Sequence, residues 1–341
     1  MKRDNDNMRV VSLGEIMMRL STDKGVFILN TNNFNVNYGG GEANVLISLS
    51  KFGINTRFIS KISNNSMGDA ILEYLNSKKI DTKFISRSDG RIGIYFLEMG
   101  SGNRNSKVIY DRKNSCFSNI KASDINIEEA LDDVDIFHFS GITLALSEEL
   151  RKIILEILKV CKEKNILVSY DSNYRSTLWS LQEAREATLE ILPYINILSA
   201  GILDAENILK FNCGYENRYE KLNYYYDHIS NDYPNIKYIY SSFRDIKSAS
   251  INTLQCNYYI DNKLYSSEIR TIDDIVDRVG GGDALAAGIL YCILNNKEPK
   301  YTVEFANCAS VLKHSIYGDA NLASVKDIES LLYNGVTKID R

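Results

Sequence analysis

The feature that most restricts the fold of this chain is a regular alternation of short apolar segments with longer amphipathic ones. Residues 9–14 and 57–62 are short and apolar, as expected of buried strands, whereas residues 42–52 and 147–164 repeat their apolar side chains at helical spacing. Residues 166–170 return to the strand pattern. Strands that alternate with helices form a mostly parallel sheet with helices on both faces. The sequence therefore predicts an α/β fold.

Two segments, 16–38 and 91–112, interrupt this alternation. Both are rich in strand-forming residues and lie between units of the predicted core. They are interpreted either as simple excursions on the surface or as a small second sheet that covers the carboxyl ends of the main strands. We expect the second arrangement, a lid, within one domain that spans residues 9–330. Residues 1–8 are polar and are expected to form a flexible tail.

Charge and cysteine usage exclude several classes of protein. The 40 basic and 44 acidic residues leave a net charge of −4, which gives no reason to expect binding to nucleic acid or to an anionic membrane. The six cysteines are far apart and form no C-x-x-C pair, as expected of free thiols in a reducing compartment. No apolar run approaches the roughly 18 residues of a membrane-spanning helix. We therefore expect a cytoplasmic protein.

The sequence gives no metal-ligand set. The three histidines lack the spacing of metal ligands, and His138 lies in a buried strand pattern, where a core residue is expected.

A glycine-rich stretch, 277–284, is the strongest candidate for chemistry. Gly280, Gly281 and Gly282 precede Asp283, and an apolar helical run follows directly. Free N–H groups at a helix N-terminus bind anions, and a carboxylate beside them is suited to removing a proton from a hydroxyl that attacks phosphorus. The alternative is an ordinary glycine loop whose aspartate complements the helix dipole. The stretch matches neither the Walker A pattern nor Gly-x-Gly-x-x-Gly.

Two motifs together resemble the signatures of the ribokinase-like (PfkB) family of sugar kinases. The first runs from Gly39 to Asn44, and the second from Asp277 to Asp283, where Arg278 and Gly281 replace the usual Thr and Ala. Further stretches are similar to the branch of 2-keto-3-deoxygluconate kinases: 14–15, 95–98, 110–112, 171–179 and 318–321. The resemblance covers about residues 9–330. It implies a Rossmann-like α/β core with a β-sheet lid, through which we expect a homo-oligomer to form.

The resemblance implies roles on the phosphate side of the site. Asp283 would be the catalytic base, and the N–H groups of Gly280, Gly281 and Gly282 would hold the phosphoryl group of ATP. Mg²⁺ is expected on the ATP phosphates. Arg278 either helps to neutralise them or points to solvent. The other expected nucleotide-binding residues are Asp171, Ser242, Arg244 and Asn252. The Asn-x-x-Glu common in the family is replaced here by a stretch with Asp204, and no metal ligand is assigned.

On the sugar side, the resemblance implies a substrate with a carboxylate. Arg112 and Arg175 match positions that contact the substrate in the branch, and a guanidinium grips a planar carboxylate well. Asp171 would face the phosphates or orient Arg175. The other expected sugar-binding residues are Gly40, Gly41, Asn44, Tyr95, Tyr110 and Asp319. The implied activity is ATP-dependent phosphorylation of a hydroxyl of 2-keto-3-deoxygluconate.

Three alternatives differ from this activity. The first is a fructokinase or another kinase for a neutral ketose, in which the two arginines would not reach the ligand. The second is a sugar-binding or regulatory protein on the same fold, which the presence of Asp283 argues against. The third is a dinucleotide-binding oxidoreductase, disfavoured because no Gly-x-Gly-x-x-Gly follows the first strand.

Overall fold

The computed structural model describes residues 8–335, so the predicted tail over 1–8 lies outside the described residues apart from Met8. The strands are β1 Arg9–Leu13, β2 Met17–Ser21, β3 Asn35–Gly39, β4 Asn55–Ser63, β5 Ile85–Ser88, β6 Ile94–Glu98, β7 Lys107–Asp111, β8 Ile136–Ser140, β9 Leu167–Asp171, β10 Ile197–Ser199, β11 Tyr238–Ile246, β12 Asn252–Ile260, β13 Lys263–Ser266 and β14 Arg270–Ile272. The helices are α1 Gly41–Lys51, α2 Ser66–Ser77, α3 Ile127–Ala130, α4 Gly141–Leu146, α5 Glu148–Lys164, α6 Leu181–Ile191, α7 Ile202–Asp204, α8 Arg218–Asp232, α9 Gly281–Leu294, α10 Pro299–Lys313 and α11 Val325–Asn334.

The main sheet has the order β13-β12-β11-β10-β9-β8-β1-β4-β5, and β14 pairs with β12. Every neighbouring pair from β11 to β5 is parallel, whereas β12, β13 and β14 pair antiparallel. The predicted mostly parallel α/β fold is therefore confirmed. Because parallel strands end at the same edge, the residues that follow β1, β8, β9 and β10 lie along one side of the sheet.

A second, four-stranded sheet has the order β3-β2-β6-β7. Strands β2 and β6 pair in parallel, and the outer strands pair antiparallel to them. The two chain segments that interrupt the alternation, 16–38 and 91–112, contribute all four strands. The prediction of a small second sheet is therefore confirmed.

Helices cover both faces of the main sheet, as the apolar spacing requires. Helices α1, α9 and α10 bury residues such as Leu46, Ile289 and Phe305 against one face. Helices α5, α6 and α8 bury residues such as Ile157 and Tyr226 against the other. Helix α9 is apolar nearly all round because it packs between α1 and α10. This packing holds the N-terminus of α9 at the edge where the parallel strands end.

Several local sequence features account for where these elements begin, turn or pack. The side chain of Ser147 accepts from the N–H of Leu150 and caps α5. Asp261 and Asn262 both have positive φ in the tight turn between β12 and β13. The side chain of His138 is buried, and its Nδ1 lies 3.0 Å from the hydroxyl of Ser169. Burial lowers the pKa of His138 to about 4, which agrees with the predicted role in the core.

Two helices follow weak signals in the sequence. Helix α11, which follows α10, is short and is stabilised by a capping box between Ser324 and Asp327. Helix α8 has a tyrosine-rich sequence, which weakens its apolar periodicity. Within residues 8–335, no helix is long and apolar enough to cross a membrane.

Candidate active site

The glycine-rich stretch forms the N-terminus of α9 and borders a cavity of about 640 Å³. Gly280 adopts a left-handed conformation with φ of 81°, and a Cβ there would lie 1.7 Å from the carbonyl oxygen of Asp319, so only glycine fits. A Cβ on Gly282 would meet open space. The first intrahelical bond runs from the N–H of Ala284 to Gly280, so the preceding N–H groups are available to an anion.

Asp283 lies in the first turn of α9 and lines the same cavity. Its Oδ2 accepts a hydrogen bond of 2.7 Å from the side-chain amide of Asn44, on α1. Burial, together with the nearby carboxylates of Asp171, Glu42 and Asp319, raises the pKa of Asp283 to about 7. A carboxyl with this pKa is deprotonated in part at neutral pH and accepts a proton readily.

The predicted sugar-binding residues converge on this cavity from both sheets and from the loops after the main strands. Those that line it are Gly40, Gly41, Asn44, Tyr95, Tyr110, Arg112, Arg175 and Asp319. A Cβ on Gly40 would lie 1.9 Å from the carbonyl oxygen of Glu15, which explains glycine at this strand-to-helix turn. The rings of Tyr95 and Tyr110, from β6 and β7, lie 5.8 Å apart and form a wall of the small sheet.

The two arginines predicted to hold a carboxylate differ in their surroundings. Arg112 is buried, and its Nε donates to Oε2 of Glu15 at 2.8 Å. The other carboxylate oxygen of Glu15, Oε1, is buried without a hydrogen-bond partner among residues 8–335. Arg175 is exposed, and its guanidinium donates to the carbonyl of Tyr174 at 3.4 Å. The predicted link between Arg175 and Asp171 is not a hydrogen bond in the described chain.

Asp319 is held by two other residues instead of standing free at the cavity. Its Oδ1 lies 2.7 Å from Nη1 of Arg19, and the hydroxyl of Tyr95 donates to its Oδ2. Arg19 is not identifiable as a functional residue from the sequence, because a single arginine in the alternating pattern of β2 resembles a solvent-facing position. The only available signal was its strand, which belongs to the predicted lid.

Three of the predicted nucleotide-side residues also line a second cavity, of about 760 Å³. Asp171, Ser242 and Arg244 line both cavities, and Asp204 lines the second. Asp204 accepts from the hydroxyl of Ser172 at 2.6 Å and from the N–H of Gly201 at 2.8 Å. Burial raises the pKa of Asp204, and it raises the pKa of Asp171 to about 6.

Asn252 is a correction to the predicted nucleotide site. It is fully buried at the start of β12, where its backbone pairs with Ile272 of β14, and it lines neither cavity. Asn252 is buried because β12 begins at this residue and pairs with β14 in the antiparallel part of the main sheet. In the described chain, no group of three or more His, Cys, Asp or Glu side chains is arranged to hold a metal ion.

Helix-terminal amides beside a proton-accepting carboxylate are suited to transferring a phosphoryl group to a hydroxyl, so we class the protein as a phosphotransferase. The model of the pfkB family carbohydrate kinases matches residues 7–226, and the chain belongs to that family.

Similar proteins include three with names that bear on the substrate. The solved structure of 2-dehydro-3-deoxygluconokinase from Thermotoga maritima is 39% identical, with a TM-score of 0.92 over 95% of this chain and 98% of that one. The 2-dehydro-3-deoxygalactonokinase of Haloferax volcanii is 25% identical over 97% of this chain and 99% of its own length. A probable fructokinase-2 of Arabidopsis thaliana is 26% identical over 86% of this chain and 84% of its own.

Proposed function

We propose that this carbohydrate kinase transfers the γ-phosphoryl group of ATP to a hydroxyl of 2-keto-3-deoxygluconate, the compound also called 2-dehydro-3-deoxygluconate. The observation that carries the proposal is the carboxylate of Asp283 at the amide-rich start of α9, in a cavity that two arginines also line. Two similar proteins are named as kinases of 2-dehydro-3-deoxy sugar acids, and one of them is 39% identical.

Asp283 is the proposed general base. It removes the proton from the sugar hydroxyl as the oxygen attacks the γ-phosphorus, and its pKa of about 7 suits this step at neutral pH. Asn44 orients the carboxylate through its 2.7 Å hydrogen bond to Oδ2, which leaves Oδ1 for the hydroxyl. We therefore propose that Asn44 acts mainly on the base and less on the sugar.

The N–H groups of Gly280, Gly281 and Gly282 are the proposed donors to the transferring phosphoryl group. Arg278 and Arg244 add positive charge beside them, since both line the cavity. Burial, together with the neighbouring Arg278, lowers the pKa of Arg244 to about 10. Two guanidinium groups held close together in this way are stabilised by an anion between them, as a polyphosphate would provide.

The carboxylates of this site fit a magnesium ion that arrives with ATP. Mg²⁺ is commonly held by one or two carboxylates together with substrate phosphates, and does not need a larger protein ligand set. Asp204 and Asp171 line the second cavity, and burial raises the pKa of each, so a cation beside them would offset the cost of burying their charges. Asp204 and Asp171 would hold the ion, which would neutralise charge on the phosphates.

On the sugar side, Arg175 is the proposed partner of the substrate carboxylate. Its exposed guanidinium borders the cavity and is free to turn towards a ligand, whereas Arg112 already pairs with Glu15. The unpartnered Oε1 of Glu15 is placed to accept from a sugar hydroxyl. Tyr110 and the glycine turn at Gly40 complete the proposed sugar contacts.

A second candidate substrate is a neutral ketose such as fructose. The pairing of Arg112 with Glu15 favours it, because this arginine then brings little net charge to the ligand. The similarity to a probable fructokinase supports the same candidate. The two candidates differ in whether Arg175 meets a carboxylate.

Arg175→Ala separates the two candidates. We expect kcat/KM for 2-keto-3-deoxygluconate to fall by a factor that corresponds to a loss of roughly 2–5 kcal/mol of transition-state stabilisation. This is the range for truncating one partner of a charge pair that becomes buried on binding. Any activity on fructose should change much less, because that ligand has no charge to lose. Arg175→Lys should recover only part, since an ammonium group does not grip both oxygens in one plane.

The measurement is a coupled ADP-release assay with both sugars. Arg87→Ala is the control, because Arg87 pairs with Asp69 and lies outside both cavities. An equal loss on acid and neutral substrates would overturn the carboxylate role of Arg175 and favour the ketose kinase.

We also propose that two copies of the chain associate through the small sheet. Val36 on β3 and Ile109 on β7 lie in one register row across this sheet, with 53% and 54% of their surfaces accessible, whereas the neighbouring Val108 lines the cavity. Exposed apolar side chains that share one face of a sheet are typical of an interface. Sedimentation of the purified chain at micromolar concentration tests this, and a monomer mass would contradict it.

A further inference from the structure

A buried arginine of the small sheet reaches the loop that precedes the glycine helix. Arg19, on β2, has no accessible surface, and its Nη2 lies 2.6 Å from Oδ2 of Asp277 while its Nη1 lies 2.7 Å from Oδ1 of Asp319. Both carboxylates are buried as well. Because the guanidinium is planar and rigid, one side chain fixes the separation of the two carboxylates.

The two aspartates that Arg19 binds also determine the backbone conformation around Gly280. Oδ1 of Asp277 accepts from the N–H of Val279, and its Oδ2 accepts from the N–H of Gly318, both at 3.1 Å. The carbonyl of Asp319 packs directly on Gly280, where it leaves no room for a Cβ. The position of the amides at the start of α9 therefore depends on the two residues that Arg19 holds.

The same contacts reach the proposed sugar site from the other direction. Tyr95, on the neighbouring strand β6, donates its hydroxyl to the second carboxylate oxygen of Asp319. Its ring lies beside Tyr110 in the cavity wall. A ligand that contacts this wall therefore contacts Tyr95, whose hydroxyl is hydrogen-bonded to Asp319.

A second basic side chain lies beside these contacts. Lys313 is also fully buried, and its Nζ donates to the carbonyl oxygens of Ile316, at 3.0 Å, and Asp277, at 3.3 Å. Arg19 pairs with both carboxylates directly, and Lys313 lies close enough to interact with both electrostatically. Removing one of the cations would leave a buried charge uncompensated, which is strongly destabilising. A test must therefore keep the positive charge at position 19.

We propose that Arg19 is a positioning residue that couples the small sheet to the phosphate-binding amides at the start of α9. Contact of the sugar with the Tyr95 wall is transmitted through Asp319 and Arg19 to the turn at Gly280. The glycine amides then reach their working position only when the sugar is bound. This inference rests on the proposed kinase function.

Arg19→Lys tests the coupling while keeping the charge. An ammonium group cannot hold both carboxylates in one plane, so the turn at Gly280 should shift slightly, and misplacement of about 1 Å costs on the order of 10²-fold in rate. We expect kcat per folded enzyme to fall by about that factor, with KM for the sugar changed by less than about threefold. Arg91→Lys is the matched control, because Arg91 makes a comparable but exposed pair with Asp111.

The effect of sugar on hydrogen exchange of residues 277–283 distinguishes coupling from a purely structural role of Arg19, because a purely structural role predicts no dependence on sugar. In the wild type, 2-keto-3-deoxygluconate added without ATP should slow exchange in this segment, and in Arg19→Lys it should not. If that variant fails to fold, Tyr95→Phe is used, which removes the hydrogen bond to Asp319 without changing charge. It should also lose the sugar-dependent protection.

The outcomes separate this inference from the proposed function. If the wild type does not phosphorylate the sugar acid, the proposed function is wrong. If it does, but Arg19→Lys keeps wild-type kcat or the wild-type response of residues 277–283 to sugar, the coupling role of Arg19 is wrong. Equal losses of kcat in Arg19→Lys and Arg91→Lys would also overturn it.

Discussion

Replacing Asp283 with Asn should separate catalysis from stability, because the two should change in opposite directions. The amide keeps the size of the side chain and can still accept from Asn44, which now lies 2.7 Å from Oδ2. It cannot accept the proton of the sugar hydroxyl. We expect kcat to fall by about 10²–10⁴, the usual contribution of a general base, and ATP binding to be nearly unchanged.

The expected gain in stability follows from the raised pKa. The fold raises the pKa of Asp283 from 3.8 to about 7, so the native state holds this proton more tightly than the unfolded chain does. As pH rises, ionisation of this carboxyl therefore lowers the free energy of unfolding. This loss of stability is complete above pH ~7, where the carboxyl is ionised in the native state as well. A difference of about three pKa units at 1.36 kcal/mol each sets an upper limit of about 4 kcal/mol.

Thermal unfolding measured across pH tests the sign. Asp283→Asn should be more stable than the wild type at pH 8, by about 1–4 kcal/mol, and the difference should shrink to roughly half or less at pH 5, where the native carboxyl is protonated. In the wild type, kcat/KM should fall about tenfold for each pH unit below pH ~7, as the base becomes protonated.

Asp327→Asn is a matched control, since both residues occupy the third position of a helix. Hydrogen bonds from Ser324 lower the pKa of Asp327, so this variant should lose stability at pH 8 while kcat stays unchanged. The reasoning is refuted if Asp283→Asn is less stable than the wild type at pH 8. A kcat within tenfold of the wild type would remove Asp283 from the role of base.

Two further predictions concern the neighbours of this carboxylate. Asn44→Ala removes a hydrogen bond that lowers the pKa of Asp283. The apparent pKa on the acid side of the pH profile of kcat/KM should therefore rise by about 0.5–1 pH unit. An unchanged or lower apparent pKa would contradict the proposed orienting role. Gly280→Ala should lower the melting temperature and abolish activity, because the added Cβ would clash with the carbonyl oxygen of Asp319. Gly282→Ala should keep the wild-type melting temperature and mainly raise KM for ATP, because a Cβ there meets open space. Calorimetry and steady-state kinetics distinguish these outcomes, and equal melting temperatures of the two variants would refute the steric argument.

The sequence was sufficient to predict the architecture because its signals are local. Alternating apolar segments predicted the parallel sheet, and the two β-rich segments predicted the small one. Motif spacing also located the glycine helix and Asp283, since an N-terminal helix turn depends on residues that are adjacent in the chain. The cavity at this turn is also lined by Gly40, Arg112 and Arg175, for which the resemblance to the family predicts sugar-binding roles.

The partners of the site residues depended on tertiary structure. Arg19 lies about 260–300 positions from the two carboxylates it binds, and no local pattern joins them. The same applies to Arg112 with Glu15 and to Asn44 with Asp283, pairs that form where strand ends and helix starts meet at one edge of the sheet. The raised pKa of Asp283 likewise arises from burial and from carboxylates that other segments supply. Sequence alone thus indicated which groups carry the chemistry, whereas the packing of distant segments determined their charge state and orientation.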